Sequence, residues 1–390
     1  MTRRAARSAP SVAVNARFLL PGDQLEGLGR FTDETLKRMV RDHPDVTFHL
    51  LHDRRADPRY RYGPNVVQHV LPPPARHPVL WAAWFEGAVA AWLLAHRPAV
   101  LLSPDGFTTL ATRVPRVTVV HDLAFEHFPE DVTPLVGAYY RRMTPRYVRA
   151  SSRVVAVSRA TRDDVVSTYG TDPEDIAVVP NAVDARFAPV GEGEAAELRA
   201  RWAQDHPYLL FVGALQPRKN LVTLLRAFDR FRDETGSQTR LVVAGRSAWK
   251  AGPTLEAYEA MAHRDAVLLP GRVPDEDLPG LYAGARATVF IPHFEGFGLP
   301  VLEAQASGSP VLTSDRSSMP EVAGDGALLV DPLDVAAVAG CLARLDSEPD
   351  LRQDLVRRGS ANAQRYSWDR SARLLWDELV RASGGRLPAS

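Results

Sequence analysis

The feature that most constrains this chain is an alternation, run through twice, of short apolar segments with longer amphipathic ones. In the first half SVAVNARF, VTFHLLH, AVLLSP, VTVVHD, VVAVS and IAVVP read as strands. FTDETLKRMVRDH, AAWFEGAVAAWLLAH and ATRDDVVSTYG read as helices among them. The second half repeats the scheme, with strands YLLFVGAL, RLVVAGR, AVLLPG, ATVFIP and PVLTSD and helices NLVTLLRAFDRFRDE, DLPGLYAGA, LPVLEAQASG and VAAVAGCLARLD. Strands that are apolar without a break are buried on both faces, and strands separated by helices need crossover connections. Each half therefore predicts a parallel sheet covered by helices, an α/β fold.

A length of 390 residues accommodates two such domains. The polar stretch ARFAPVGEGEAAELR, which follows VVPNAVD, marks the boundary. The expected division is 1–185 for the first domain, 186–207 for a linker, 208–365 for the second domain and 366–390 for a closing helix and tail. That helix, YSWDRSARLLWDELVRA, carries Trp368 and Trp376, and its apolar face needs a partner; a return to the first domain supplies one. The tail after Ser383 is expected to be disordered.

Charge and cysteine content narrow the function. With 47 basic and 47 acidic residues the chain is no electrostatic trap for nucleic acid. Cys341 stands alone, so no internal disulfide or thiolate-rich metal site forms, which fits a reducing cytoplasm. The N-terminus is basic but lacks the apolar stretch of a secretory signal. The most apolar long run, Pro78 to Ala95, carries Glu86 near its middle and reads as a buried or groove-lining helix of a soluble domain.

In parallel sheets ligands bind at the carboxyl ends of strands, and two such domains of similar size would leave a cleft between them. In ATVFIPHFEGFGLPVLEAQASG a strand ends near Pro292 and a helix opens near Leu299, with Pro300 in its first turn. Gly296 and Gly298, around Phe297, let backbone approach a ligand, and the free N–H groups at the helix start suit a phosphate or diphosphate. Glu295 precedes the helix and Glu303 lies one turn into it. Carboxylates accept hydrogen bonds from sugar hydroxyls, so the pattern reads as a sugar on one side, a ribose on the other and phosphates between.

Three more strand-end loops add chemistry. In FVGALQPRKN, Arg218 and Lys219 would neutralise a diphosphate leaving group; Lys219 is one of only three lysines. VVHDLAFEHFP delivers His121, able to bond a hydroxyl or carbonyl, with Asp122 either orienting the ring or bonding nearby backbone. After the first strand, Gly27 and Gly29 precede a helix and would admit a phosphate or sugar. They form no GxGxxG, and no acidic residue ends the next strand where a dinucleotide site needs one. There is no Walker loop, no HExxH, no cysteine cluster and no nucleophile elbow. No metal and no cofactor is expected; Arg, Lys and helix dipoles would meet the phosphate charge.

Taken in order, EGLGRFT, HDLAFEHFP, AVSRATRDDV, VPNAVD, FVGALQPRKN, VLLPGRVPDEDL, EGFGLPVLEAQASGSPV and SSMPEVAGDGALLVDP resemble the retaining nucleotide-sugar glycosyltransferases of family 4 over nearly the whole chain. The resemblance implies the GT-B fold, two Rossmann-like domains facing a central cleft, with the acceptor on the first and the donor on the second. It implies that Glu295 and the backbone of Phe297, Gly298 and Leu299 hold the donor sugar, and that Glu303 holds the ribose. Arg218 and Lys219 would hold the diphosphate, His121 would approach the reacting carbon, Gly27 and Gly29 would crowd the sugar-phosphate, and Arg272 and Val273 would contact the base. The likeness is greatest to bacterial mannosyltransferases. It implies metal-independent transfer of a hexose, mannose from GDP-mannose as the leading case, to a hydroxyl of a glycan, a lipid-linked glycan or a small molecule.

Other readings stay open from sequence: a nucleotide-sugar epimerase, a phosphorylase or a catalytically silent sugar-nucleotide-binding scaffold. Acceptor choice is expected in loops such as residues 53–80. The basic stretch YYRRMTPRYVRASSR, with Arg141, Arg142, Arg146, Arg149 and Arg153, would suit weak peripheral contact with anionic lipid at the inner face of the membrane, or else a solvated face. Trp81, Trp84 and Trp92 belong either to an acceptor groove or to the core.

Overall fold

The computed structural model describes residues 9–22, 25, 27–245 and 252–389. Lys250, the third of the three lysines, lies outside the described residues. The chain divides into two compact units, residues 1–181 with 368–390, and residues 182–367.

The first unit is a seven-stranded parallel sheet: β1 (Ser11–Asn15), β2 (Thr47–His52), β3 (Val66–Val70), β4 (Val100–Ser103), β5 (Arg116–Val120), β6 (Arg153–Ala156) and β7 (Ile176–Val178), in the order β3-β2-β1-β4-β5-β6-β7. The order reverses between β1 and β4, which pair with Val12 opposite Val100. The helix Gly27–Asp42 covers one face together with the closing helix Trp368–Ser383. Trp376 is fully buried there, its ring stacked on His43 at 3.7 Å and tilted against Phe48.

Across the sheet runs the helical stretch Pro78–His96, which passes through a π-turn at Trp84–Val89. Trp84, Phe85, Val89, Trp92 and Leu93 pack on Ala13, Leu51 and Leu101. The stretch is long and apolar enough to cross a membrane by length and composition, yet this face is core. Val79, Leu80 and Leu94 are exposed on it.

The second unit has six parallel strands: β8 (Tyr208–Val212), β9 (Arg240–Ala244), β10 (Val267–Gly271), β11 (Ala287–Phe290), β12 (Val311–Ser314) and β13 (Leu328–Val330), ordered β10-β9-β8-β11-β12-β13. Its reversal lies between β8 and β11. Helices Leu221–Thr235 and Val335–Ser347 pack on each other, and Leu299–Ala306 packs on Pro349–Ala363.

Several expectations are corrected in detail. In the stretch 186–207, read as a linker leading through a helix into the strand at Tyr208, that helix is Glu192–Ala203, and it packs on the helix Leu278–Ala283. Contact is close enough that a Cβ on Gly280 would sit 2.2 Å from Leu198 Cδ1. The described tail, residues 384–389, is ordered. Leu387 is buried, Arg386 Nη2 donates to the Ala99 carbonyl at 2.5 Å, and Trp376 Nε1 donates to the Pro388 carbonyl at 3.3 Å. Arg153 does not belong to the basic helix, Pro134–Ala150; it opens β6, and its Nε donates to Glu378 Oε2 of the closing helix at 2.7 Å.

Candidate active site

In the second unit the reversal of strand order sets the loops after β8 and β11 side by side. After β8, the short helix Pro217–Lys219 ends at Asn220, held in the left-handed region at φ 60°. The Asn220 side chain is buried, and its Nδ2 donates to the carbonyls of Ile291 (3.1 Å) and Pro332 (2.7 Å). His293 N donates to the Arg218 carbonyl at 2.8 Å. These bonds stitch the two loops together and bring Arg218, Lys219 and Glu295 to one point.

Glu295 Oε1 accepts from Arg218 Nη1 at 2.8 Å and from Lys219 Nζ. All three side chains are largely buried, and the ammonium of Lys219 lies 5.0 Å from the Phe290 ring centroid. Burial alone would raise the carboxyl pKa of Glu295. The charges of Lys219 and Arg218 outweigh it and hold the group below its ordinary value. The carboxylate and the two cations, read from sequence as grips on different parts of a ligand, thus form one ionic cluster.

The loop after β12 supports that cluster. Ser317 Oγ and Ser318 Oγ donate to the Glu295 carbonyl at 2.6 and 2.7 Å, and Ser318 Oγ also reaches the Phe297 carbonyl at 3.0 Å. The Phe297 ring turns inward and meets Tyr366 edge-on, so the residue offers backbone to a ligand. Gly298 has φ 96°, and a Cβ there would lie 2.3 Å from Met319 Cε. The helix Leu299–Ala306 follows, and no side chain caps its N-terminus. Glu303 is buried one turn in, and its Oε2 accepts from the buried Tyr282 hydroxyl at 3.0 Å. Arg272 is exposed and Val273 buried just beyond β10, two strands from β8.

In the first unit His121 follows β5. Its Nε2 donates to the Pro104 carbonyl at 2.8 Å, and its ring meets Phe31 edge-on at 5.2 Å. Burial lowers the imidazole pKa, against the pull of the Pro104 carbonyl, Asp122 and Asp105. Asp122 bonds backbone, accepting from Ala124 N at 3.0 Å. Gly27 and Gly29 are corrected: they do not precede the helix but form its first turn. A Cβ on Gly29 would lie 2.7 Å from the Phe18 carbonyl, whereas a Cβ on Gly27 would meet nothing within 4 Å among the described residues. Of the three tryptophans, Trp84 and Trp92 are core and Trp81 is partly exposed, stacked on Tyr140.

Sequence reading missed Asn15, Arg17, Asp105, Tyr282 and the Ser317–Ser318 pair. Asp105 sits just beyond β4, where the strand-end rule applies equally. Its partners Asn15 and Arg17 lie 90 and 88 residues away.

Residues 195–361 match the family described as Glycosyl transferases group 1, and residues 25–187 match Glycosyltransferase Family 4. An O-antigen chain mannosyltransferase B from Escherichia coli is 28% identical over 357 residues, covering 88% of this chain and 93% of that protein. A D-inositol 3-phosphate glycosyltransferase from Xylanimonas cellulosilytica is 32% identical over 315 residues, covering 78% and 71%. The solved structure of a sucrose-phosphate synthase from Thermosynechococcus elongatus superimposes with a TM-score of 0.74 at 19% identity, over 95% of this chain and 98% of that one.

Proposed function

Since the chain belongs to glycosyltransferase family 4 and has the GT-B fold, we propose that it is a retaining hexosyltransferase moving mannose from GDP-mannose to a hydroxyl of a glycan or lipid-linked glycan. The observation that carries this reading is the Arg218–Lys219–Glu295 cluster at the strand reversal of the second sheet. The mannosyltransferase relative supports the choice of sugar.

In this reading a diphosphate takes Arg218 and Lys219 as its counter-charges beside the uncapped start of the Leu299 helix. Glu295, relieved of one or both cations, accepts hydrogen bonds from sugar hydroxyls. The backbone of Phe297, Gly298 and Leu299 lies along the sugar, Glu303 holds the ribose, and Arg272 and Val273 meet the base. His121 approaches the reacting carbon, and Gly29 keeps the first turn of its helix close to the Phe18 backbone.

The bond from the sugar carbon to the diphosphate oxygen breaks while a bond to the acceptor oxygen forms on the same face. The acceptor's proton leaves with the departing phosphate. Cationic side chains suffice to stabilise the charge that develops there, so no metal ion is called for.

In the same reading the acceptor side belongs to the first unit. Leu135 is exposed at the start of the basic helix, which continues with exposed Arg141, Arg142, Arg146 and Arg149. An apolar lead followed by arginines fits weak contact with an anionic membrane at its cytoplasmic face. Sedimentation with anionic vesicles tests this: no binding by the wild-type protein removes the membrane from the proposal, and binding that survives Arg141→Ala/Arg142→Ala/Arg149→Ala unchanged removes this helix as the contact.

A thermal-shift screen across GDP-, UDP-, ADP- and dTDP-sugars tests the donor. A donor at 100 times its dissociation constant adds about 2.7 kcal/mol of stability. Product analysis then separates transfer from epimerisation, which would return an altered free nucleotide sugar. No shift with any of the four donors overturns the reading.

A further inference from the structure

The strand reversal of the first sheet holds a buried ionic cluster that the transfer chemistry above does not use. The carboxyl ends of β1 and β4 bring Asn15, Arg17 and Asp105 together, and all three are less than one-tenth exposed. Asp105 Oδ1 accepts from Asn15 Nδ2 at 2.8 Å and from Phe107 N at 3.0 Å. Its Oδ2 accepts from Arg17 Nε at 3.2 Å and Nη2 at 2.9 Å. The Arg17 guanidinium lies 5.0–5.7 Å from the ring centroids of Phe18, Trp81, Phe85 and Phe107.

Four hydrogen bonds fill the acceptor directions of a carboxylate. Asp105 is therefore committed to the protein and does not serve as a base toward a ligand. What it fixes is the loop after β4, and the residue before it, Pro104, offers the carbonyl that holds His121 Nε2. A carbonyl only accepts, so Nε2 carries the proton. In a neutral ring Nδ1 is then the acceptor.

We infer that Asp105, locked by Asn15 and Arg17, is a positioning residue that holds His121 in the Nε2–H tautomer and presents Nδ1 as a hydrogen-bond acceptor for a substrate hydroxyl. The inference rests on the reading that His121 acts in the transfer, but the tautomer is testable apart from it. Long-range nitrogen–proton NMR, with the His121 signals assigned by their loss in His121→Gln, reads the protonated nitrogen directly. In the wild-type protein Nδ1 is expected to be the unprotonated nitrogen at neutral pH; a proton on Nδ1 overturns the inference.

The double variant Arg17→Met/Asp105→Asn removes both charges, so neither is left buried and unpaired. It is expected to leave the His121 ring in a mixture of tautomers and to lower kcat by about tenfold to a hundredfold, with donor KM little changed. A double variant that keeps the single wild-type tautomer and wild-type kcat also overturns the inference. If instead His121→Gln transfers at the wild-type rate while the double variant shows the mixture, the role given to His121 fails and the positioning stands.

Discussion

At the residue scale the second unit concentrates its chemistry in one carboxylate with two cations. Removing one such contact costs about 2–4 kcal/mol of transition-state stabilisation, so Lys219→Ala should lower kcat by about 30-fold to 1,000-fold. Glu295→Ala should abolish measurable transfer while circular dichroism stays native. Transfer at wild-type rates by both variants would remove the proposed site.

The depressed pKa of Glu295 also has a signature in stability. Its contribution is fully present above the unfolded carboxyl value, about 4.3, and is lost as pH falls through the lower folded value. The gap in urea midpoint between wild type and Glu295→Gln should therefore be wide at pH 7, begin to shrink as pH falls below about 4.3, and close only beneath the lower folded value. Gly298 is a different case, fixed by φ 96° and by Met319 Cε. Gly298→Ala should weaken donor binding, read by calorimetry, because the loop must move to accept the methyl group. Unchanged donor affinity would show that this close packing has no bearing on the ligand.

At the scale of the element, what was legible in the sequence depends on where a strand sits. The strands in the middle of each sheet are short, mostly apolar runs buried almost end to end, and they announce themselves. The two that escaped notice, β3 and β13, are edge strands. β3 breaks its valines with Gln68 and His69, and β13 is only three residues long, so neither offers a sustained apolar run. The helix Pro349–Ala363 escaped for a related reason, being mostly polar with few buried positions.

The candidate site divides in the same way. Arg218, Lys219, Glu295 and His121 follow strands directly, and one rule finds them. The Asn15–Arg17–Asp105 cluster depends on β1 lying beside β4, a neighbour relation that local pattern does not contain. β2 carries its own prediction. His52 at its end is buried, and burial is the leading cause that lowers its pKa to about 4. Between that value and the unfolded value of about 6.5 the unfolded chain binds the extra proton. The share of His52 in stability should thus fall by on the order of 3 kcal/mol as pH drops from 6.5 to 4 and then level off. His52→Gln should flatten that slope in urea titrations at pH 7, 5.5 and 4; an unaltered slope would assign the acid limb to other groups.

At the scale of the whole molecule, the same topology serves twice, but only the second unit is continuous in sequence. The first is completed by residues 368–390, where Trp368, Leu375, Trp376 and Leu379 are buried and Glu378 pairs with Arg153. Trp376→Ala should cost about 3–5 kcal/mol of stability in the first unit while leaving the second intact. Limited proteolysis is the measurement: cleavage should appear within residues 1–181 and spare 182–367, and uniform resistance would show that the closing helix is dispensable.

That discontinuity has a consequence for how the protein is made. A ribosome working from the amino end releases residues 182–367 as a full set while residues 1–181 still lack the helix that seals their sheet. Translation therefore delivers the later unit finished first, against the usual order in which the earlier domain folds as it emerges. Until that helix is out, Phe31 and Phe48 lack the Trp368 and Trp376 rings that lie against them in the finished unit.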